Sequence, residues 1–228
     1  MVAIVAGAEY KQLGRNYTVE RWDYSKGLVL HVQAGNGELY GWFNNPAASA
    51  SSHWWVGKDG RIVQYLDPEN HQSWAQAGGN AEWHSVETEG YPHEPLTPAQ
   101  MAGVARIYTW GMNRFGWPAQ LANTTSSKGF GWHGMGGSSW GGHTGCPGDA
   151  RKAQRQMILD SITGGTPKMA DNVSKMADDY MAGVNRPGDK RAVNGYVSVK
   201  QEIADCKTML LAVSQRVEQL YQIVGRLQ

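Results

Sequence analysis

The stretch His53-Trp54-Trp55-Val56-Gly57-Lys58-Asp59-Gly60-Arg61-Ile62-Val63-Gln64-Tyr65 holds two short apolar runs around a four-residue break. Each run is rich in aromatic and β-branched residues, and the break carries an Asp-Gly pair. That combination predicts a β-hairpin. Upstream, Leu28-Val29-Leu30-His31 is a short apolar run ending in a polar residue, which predicts a buried strand. Downstream, Ser85–Glu89 is a further strand candidate. Thr97-Pro98-Ala99-Gln100 then opens a helix: a Thr N-cap, Pro at the first helical position, and Gln at the reciprocal capping position. Met101, Val104, Ala105 and Tyr108 continue it at helical spacing to about Phe115. A last helix is expected from Asp149 to Ile162, with Ala153, Met157 and Ile162 on its apolar side. Strands that precede and alternate with helices predict an α/β fold, a mixed central sheet flanked by helices.

The pattern changes near residue 165. All 10 Trp and all 7 His of the 228 residues lie before it. Gly164-Gly165-Thr166-Pro167 is a helix stop followed by a linker signal. The expected organisation is a catalytic domain over 1–163, a linker with a short helical segment over 164–195, and a heptad helix over 196–228. In that last segment Tyr196, Ile203, Leu210, Val217 and Val224 alternate with Val199, Cys206, Val213, Leu220 and Leu227. Ten apolar positions at heptad spacing predict a coiled-coil-like seam and a homo-oligomer. An amphipathic helix docked on its own domain is the alternative.

Lys+Arg is 21 and Asp+Glu is 20, a net charge of +1. This balance argues against nucleic acid as a partner and against a polybasic membrane anchor. No apolar run approaches the ~20 residues that stable membrane insertion needs. The opening MVAIVAGA is short and no Lys or Arg precedes it, so it does not read as a signal peptide.

His31 at a strand end, His133 after Gly129-Phe130-Gly131-Trp132, and Cys146 in a turn before the last helix form a set suited to zinc. Zn²⁺ takes imidazole and thiolate in tetrahedral geometry, and three protein ligands leave one position for water. Seven His allow other triplets, and His143 could replace His133. Cys146 could also be a buried thiol. Its pairing with Cys206 is disfavoured without an export signal.

Residues 26–163 resemble the type 2 N-acetylmuramoyl-L-alanine amidases, the family that includes peptidoglycan recognition proteins and phage lysis amidases. Six pieces carry the resemblance, in order: Leu28–His31 with Ala34-Gly35; Ser52–Gln64; Ser73-Trp74-Ala75-Gln76-Ala77-Gly78-Gly79-Asn80; Ser85–Gly90; Leu96–Gln100; and Gly131-Trp132-His133 with Cys146-Pro147-Gly148. The resemblance implies that His31, His133 and Cys146 bind Zn²⁺ and that Glu87 is the catalytic carboxylate, with Glu89 ranked second. Thr144 stands where some relatives carry Lys, and His143 beside it is the other candidate for steadying an oxyanion. Met135–Trp140 with Gly141-Gly142 reads as a flexible flap beside the metal. Trp54, Trp55, Trp74, Trp132 and Trp140 are candidates to stack on sugar or line a peptide groove, about half of them being core. The implied activity is zinc-dependent hydrolysis of the amide between N-acetylmuramic acid and L-alanine in bacterial peptidoglycan. The implied setting is a phage endolysin, held in the host cytoplasm until lysis and then at the cell wall. The rival is a non-catalytic peptidoglycan-binding module with an oligomerising tail.

Overall fold

The computed structural model describes residues 2–22 and 24–164. The expected linker and heptad helix from residue 165 onward, and Cys206 with them, lie outside the described residues.

In chain order the strands are β1 (Glu9–Tyr10), β2 (Tyr17–Val19), β3 (Gly27–Leu30), β4 (Trp54–Val56), β5 (Ile62–Gln64), β6 (His71–Ser73), β7 (His84–Thr88) and β8 (Gly129–Trp132). The helices are α1 (Tyr40–Phe43), α2 (Pro98–Phe115) and α3 (Asp149–Ile162). Six strands form one sheet in the order β1-β5-β4-β7-β3-β8, and β2 and β6 form a separate pair. The hairpin is present, with β4 and β5 antiparallel. β4, β7, β3 and β8 run parallel, so the sheet is mixed, as expected.

All four residues of β3 are buried, which is how a central parallel strand covered on both faces reads. β3 and β8 begin with two glycines in register, Gly27 and Gly129. A Cβ on Gly27 would lie 1.8 Å from the Gly129 carbonyl oxygen, so the close start of these strands needs glycine. The capping box of α2 is formed by Thr97 and Gln100, and Gly116 closes the helix in the left-handed region.

The core lies between one sheet face and the two long helices. Leu28, Leu30, Trp54, Val56, Val86 and Phe130 pack against Val104, Ile107 and Tyr108 of α2 and Ile158 and Leu159 of α3. The other face holds Val29, Trp83 and Trp140 in one cluster and Trp55, Val63 and Tyr65 in another. Trp54 and Trp55 thus go to opposite faces, as alternation requires. Both are buried, as is Trp140, so none of the three lines a groove.

Two expectations are corrected. The buried stripe of α3 is Arg151, Arg155, Ile158 and Leu159, whereas Ala153 is exposed. Both guanidiniums find acceptors: Arg151 donates to the Glu94 and Glu89 carbonyls and to Thr88 Oγ1, and Arg155 to the Ala122 and Phe130 carbonyls and to Asn123 Oδ1, which makes their burial tolerable. The segment expected as a flap is a 3₁₀ stretch, His133–Trp140, with a kink at Gly137. Burial of the Trp140 ring against Trp83 ties it down.

Candidate active site at the carboxyl ends of the parallel strands

Register brings the site together. Leu30 pairs with Val86 on one side and Trp132 on the other. The next residues along these three strands are His31, Glu87 and His133. Three parallel strands thus present them side by side where the strands end, the edge at which open α/β sheets bind ligands. The turn before α3 supplies Cys146, whose Sγ accepts from the Val32 amide at 3.4 Å.

One ligand atom each from His31, His133 and Cys146 lie within 4.8 Å of one another. His143 is exposed, with its ring centroid 5.0 Å from that of His133. The group that converges therefore contains His133 and not His143.

Both histidines are oriented by bonds from the nitrogen that faces away. His31 Nε2–H donates to Gln76 Oε1 at 3.2 Å. The Gln76 amide is fixed in turn because its Nε2 donates to the Trp83 carbonyl at 2.9 Å. His133 Nε2–H donates to the Trp140 carbonyl at 3.0 Å. In both rings Nδ1 is left as the lone-pair atom, the outer-partner arrangement that prepares imidazole for a metal. Burial holds His31 well below the usual imidazole range, reinforced by the neighbouring His133. Burial takes His133 down to about 4. Both imidazoles are therefore neutral at physiological pH. The Cys146 thiol is pushed up to about 12, by burial first and by the Glu87 carboxylate second. A cation would be needed to hold it as thiolate.

Glu87 Oε1 lies 3.9 Å from His31 Nδ1. Its Oε2 is buried and has no hydrogen-bond partner among the described residues. Burial raises this carboxyl to about 8, against the opposing pull of Arg151. An orphaned carboxylate oxygen beside two oriented imidazoles and a thiol fits a divalent metal with its water, and the soft nitrogen–sulfur set suits zinc.

Glu89, ranked second from sequence, has a different task. Its Oε1 accepts from the Gly37 amide and its Oε2 from the Lys58 amide, each at 2.8 Å. It lies beyond the end of β7 and ties two loops together. Thr144 is exposed and its amide donates to the Gly142 carbonyl at 2.9 Å. Trp132 lines a cleft beside Cys146, and Trp74 is partly exposed.

Gln76, Thr88 and Arg151 escaped the sequence reading. Arg151 is fully buried and donates to Thr88 Oγ1 at 2.6 Å, and Thr88 Oγ1 donates to the His31 carbonyl. The arginine thus braces the backbone that presents His31. Two arginines four apart on a helix beside an apolar stripe are the only sequence signal of that burial.

No curated protein matches the chain in sequence. Among solved structures, the chain is similar to the endolysin N-acetylmuramoyl-L-alanine amidase LysCS of Clostridium intestinale URNW, at 17% identity and a TM-score of 0.53, over 71% of this chain and 97% of that one. It is also similar to the Staphylococcus aureus hydrolase AmiA, solved with its ligand, at 18% identity and a TM-score of 0.54, over 72% and 89%. These likenesses show the fold. The family model of N-acetylmuramoyl-L-alanine amidase matches residues 21–149, a span that runs from before β3 through Cys146 to the start of α3, and the chain belongs to that family.

Proposed function

We propose that this protein is a zinc-dependent N-acetylmuramoyl-L-alanine amidase that cuts the amide between N-acetylmuramic acid and L-alanine in bacterial peptidoglycan. We further propose that it does so as a phage endolysin; LysCS, similar in fold, is named an endolysin. Among the described residues no helix is long and apolar enough to cross a membrane. The observation that carries the proposal is the convergence of His31, His133 and Cys146 with the orphaned Glu87 carboxylate beside them.

His31 and His133 would hold zinc through Nδ1, and Cys146 through Sγ. Bound there, zinc supplies a Lewis acid that acidifies water and polarises the amide carbonyl. Glu87 takes a proton from the attacking water and delivers it to the departing L-alanine nitrogen. Its raised pKa favours delivery, because a carboxyl tuned toward neutrality both accepts and releases a proton near the operating pH. Gln76 and the Trp140 carbonyl hold the imidazoles still during this exchange. His143 and Thr144, exposed on the loop that leads to Cys146, would donate to the oxyanion that develops on the carbonyl.

Product chemistry on purified cell walls tests this. New amino groups on L-alanine without new reducing sugar ends, lost with a chelator and regained with Zn²⁺, are the expected result. Glu87→Gln should bind zinc and fold as wild type while losing hydrolysis. Wall binding without any product would instead make the chain a recognition module.

A further inference from the structure

A cleft of about 360 Å³ opens beside Cys146. Its walls include His93, Trp132, Thr144, Asp149 and Lys152. It lies on the helix side of the strand ends. Trp132 is one residue before His133, so alternation turns it to the opposite face. The contact with α3 agrees: Lys152 Nζ sits 3.9 Å from the Trp132 ring centroid. Cys146 therefore borders both the metal-ligand group and this cleft, while His31 and Glu87 lie outside the cleft walls.

Lys152 is an available cation. The indole face holds its ammonium on one side. Among the described residues no carboxylate lies within 4.0 Å of it. Its backbone is fixed in the first turns of α3, where its amide donates to Gly148 at 2.9 Å. The site thus has an aromatic floor, a positioned cation and an exposed imidazole, His93, with the Asp149 carboxylate one turn before Lys152. Asp149 disfavours a polyanion such as a phosphate-rich wall polymer. It tolerates a limb that carries both signs of charge.

Two limbs diverge from the bond to be cut. The glycan limb is N-acetylated and neutral at its sugars, whereas the stem peptide bears free carboxylates. We infer that the cleft receives the stem peptide and that Lys152 pairs with a peptide carboxylate over the Trp132 ring. This inference rests on the amidase reading and names the residue that reads the substrate's charge.

The experiment compares zinc-loaded full-length protein with its Lys152→Met variant, which keeps the apolar stem on Trp132 and removes the charge. The substrates are two soluble muramoyl-peptides, one with a free α-carboxylate on the second stem residue and one with that group as carboxamide. The expected result is a rise in KM of about tenfold on the carboxylate substrate, the loss of one charge-assisted bond, with kcat unchanged. On the carboxamide substrate the two proteins should agree, and zinc content should be equal. An equal rise on both substrates, or no rise on either, overturns the inference. A second arm titrates the free tripeptide L-alanyl-γ-D-glutamyl-L-lysine into zinc-loaded Glu87→Gln protein, with and without Lys152→Met, by NMR. Lys152-dependent binding in a protein whose parent hydrolyses no wall would keep the cleft and discard the amidase proposal. Normal wall hydrolysis by the parent without such binding would discard the cleft alone.

Discussion

Replacing Gln76 by leucine isolates the bond that orients His31. Gln76 is 1% exposed, and leucine fills a comparable volume without a polar atom. The substitution removes the acceptor at 3.2 Å from His31 Nε2 and the donor at 2.9 Å from the Trp83 carbonyl. His31 is itself 2% exposed, so water does not replace Gln76. The ring then has two options. It can keep its proton on Nε2 as a buried unpaired N–H, at a cost of about 1–3 kcal/mol. Or it can move the proton to Nδ1, the atom that faces Glu87, and lose its lone pair there. Either option raises the free energy of the metal-bound form. The range corresponds to roughly 5- to 150-fold in an equilibrium constant, which brackets the ~10–100-fold typical for losing a partner of a ligating histidine. Competition against a chromophoric zinc chelator near neutral pH measures this directly. Gln76→Leu should bind zinc about 10–100-fold more weakly than wild type, and Gln76→Glu, which keeps an acceptor, should recover most of the loss. A Gln76→Leu protein with native near-UV circular dichroism and zinc affinity within about twofold of wild type would show that the bond does not hold the ligand.

Three other perturbations probe separate parts of the molecule. Burial lowers His84 to about 4 and also holds His53 well below the usual range. The unfolded chain therefore binds protons that the folded chain refuses, and stability is full above pH ~6.5 and falls as pH drops toward ~4. His84 alone removes about 2 kcal/mol by pH ~5; urea midpoints that stay flat over this range would contradict the buried neutral imidazoles. Glu89→Ala should destabilise the fold by roughly 3 kcal/mol through its two lost amide bonds while purified folded protein keeps its zinc. The opposite pattern, lost chemistry with kept stability, is expected at Glu87, and chemical denaturation with metal analysis separates the two glutamates. Gly111→Ala would set a Cβ 2.0 Å from the buried Trp117 ring, and the overpacking should lower Tm by at least about 5 °C; an unchanged Tm would mean that Trp117 has room to shift.

The pieces of the site that were legible in the sequence are those that local chemistry specifies. The Asp-Gly break set the hairpin, Thr97 with Gln100 set the start of α2, and the apolar run 28–30 set the strand that delivers His31. The strands β1, β2 and β6 are two or three residues long, too short for alternation to register. The arginines of α3 were missed for a related reason. Periodicity weighs residues by apolar character, and Arg151 and Arg155 earn their buried places through acceptors from distant segments, Thr88, Glu89 and Glu94 for one and Ala122, Phe130 and Asn123 for the other.

The same distinction explains why spacing left His133 and His143 as rivals and the fold separates them. Nine residues lie between, and nothing in the local sequence ranks one above the other. The difference is made by strand register. His133 follows Trp132, which is paired to Leu30, so it must stand beside His31, and its own carbonyl partner comes from the turn that buries Trp140. His143 follows that turn, after two glycines in the left-handed region, and is carried out to solvent. Glu87 and Glu89 divide on similar grounds. Strand alternation over Ser85–Glu89 would set both on one face, yet β7 ends at Thr88. Glu87 is inside the ladder and is left with an oxygen that no group among the described residues satisfies. Glu89 is past the ladder's end, where the free amides of Gly37 and Lys58 claim both of its oxygens. The carboxylate proposed for chemistry is the one the fold declines to satisfy, and that shortage is visible only once every competing donor has a position.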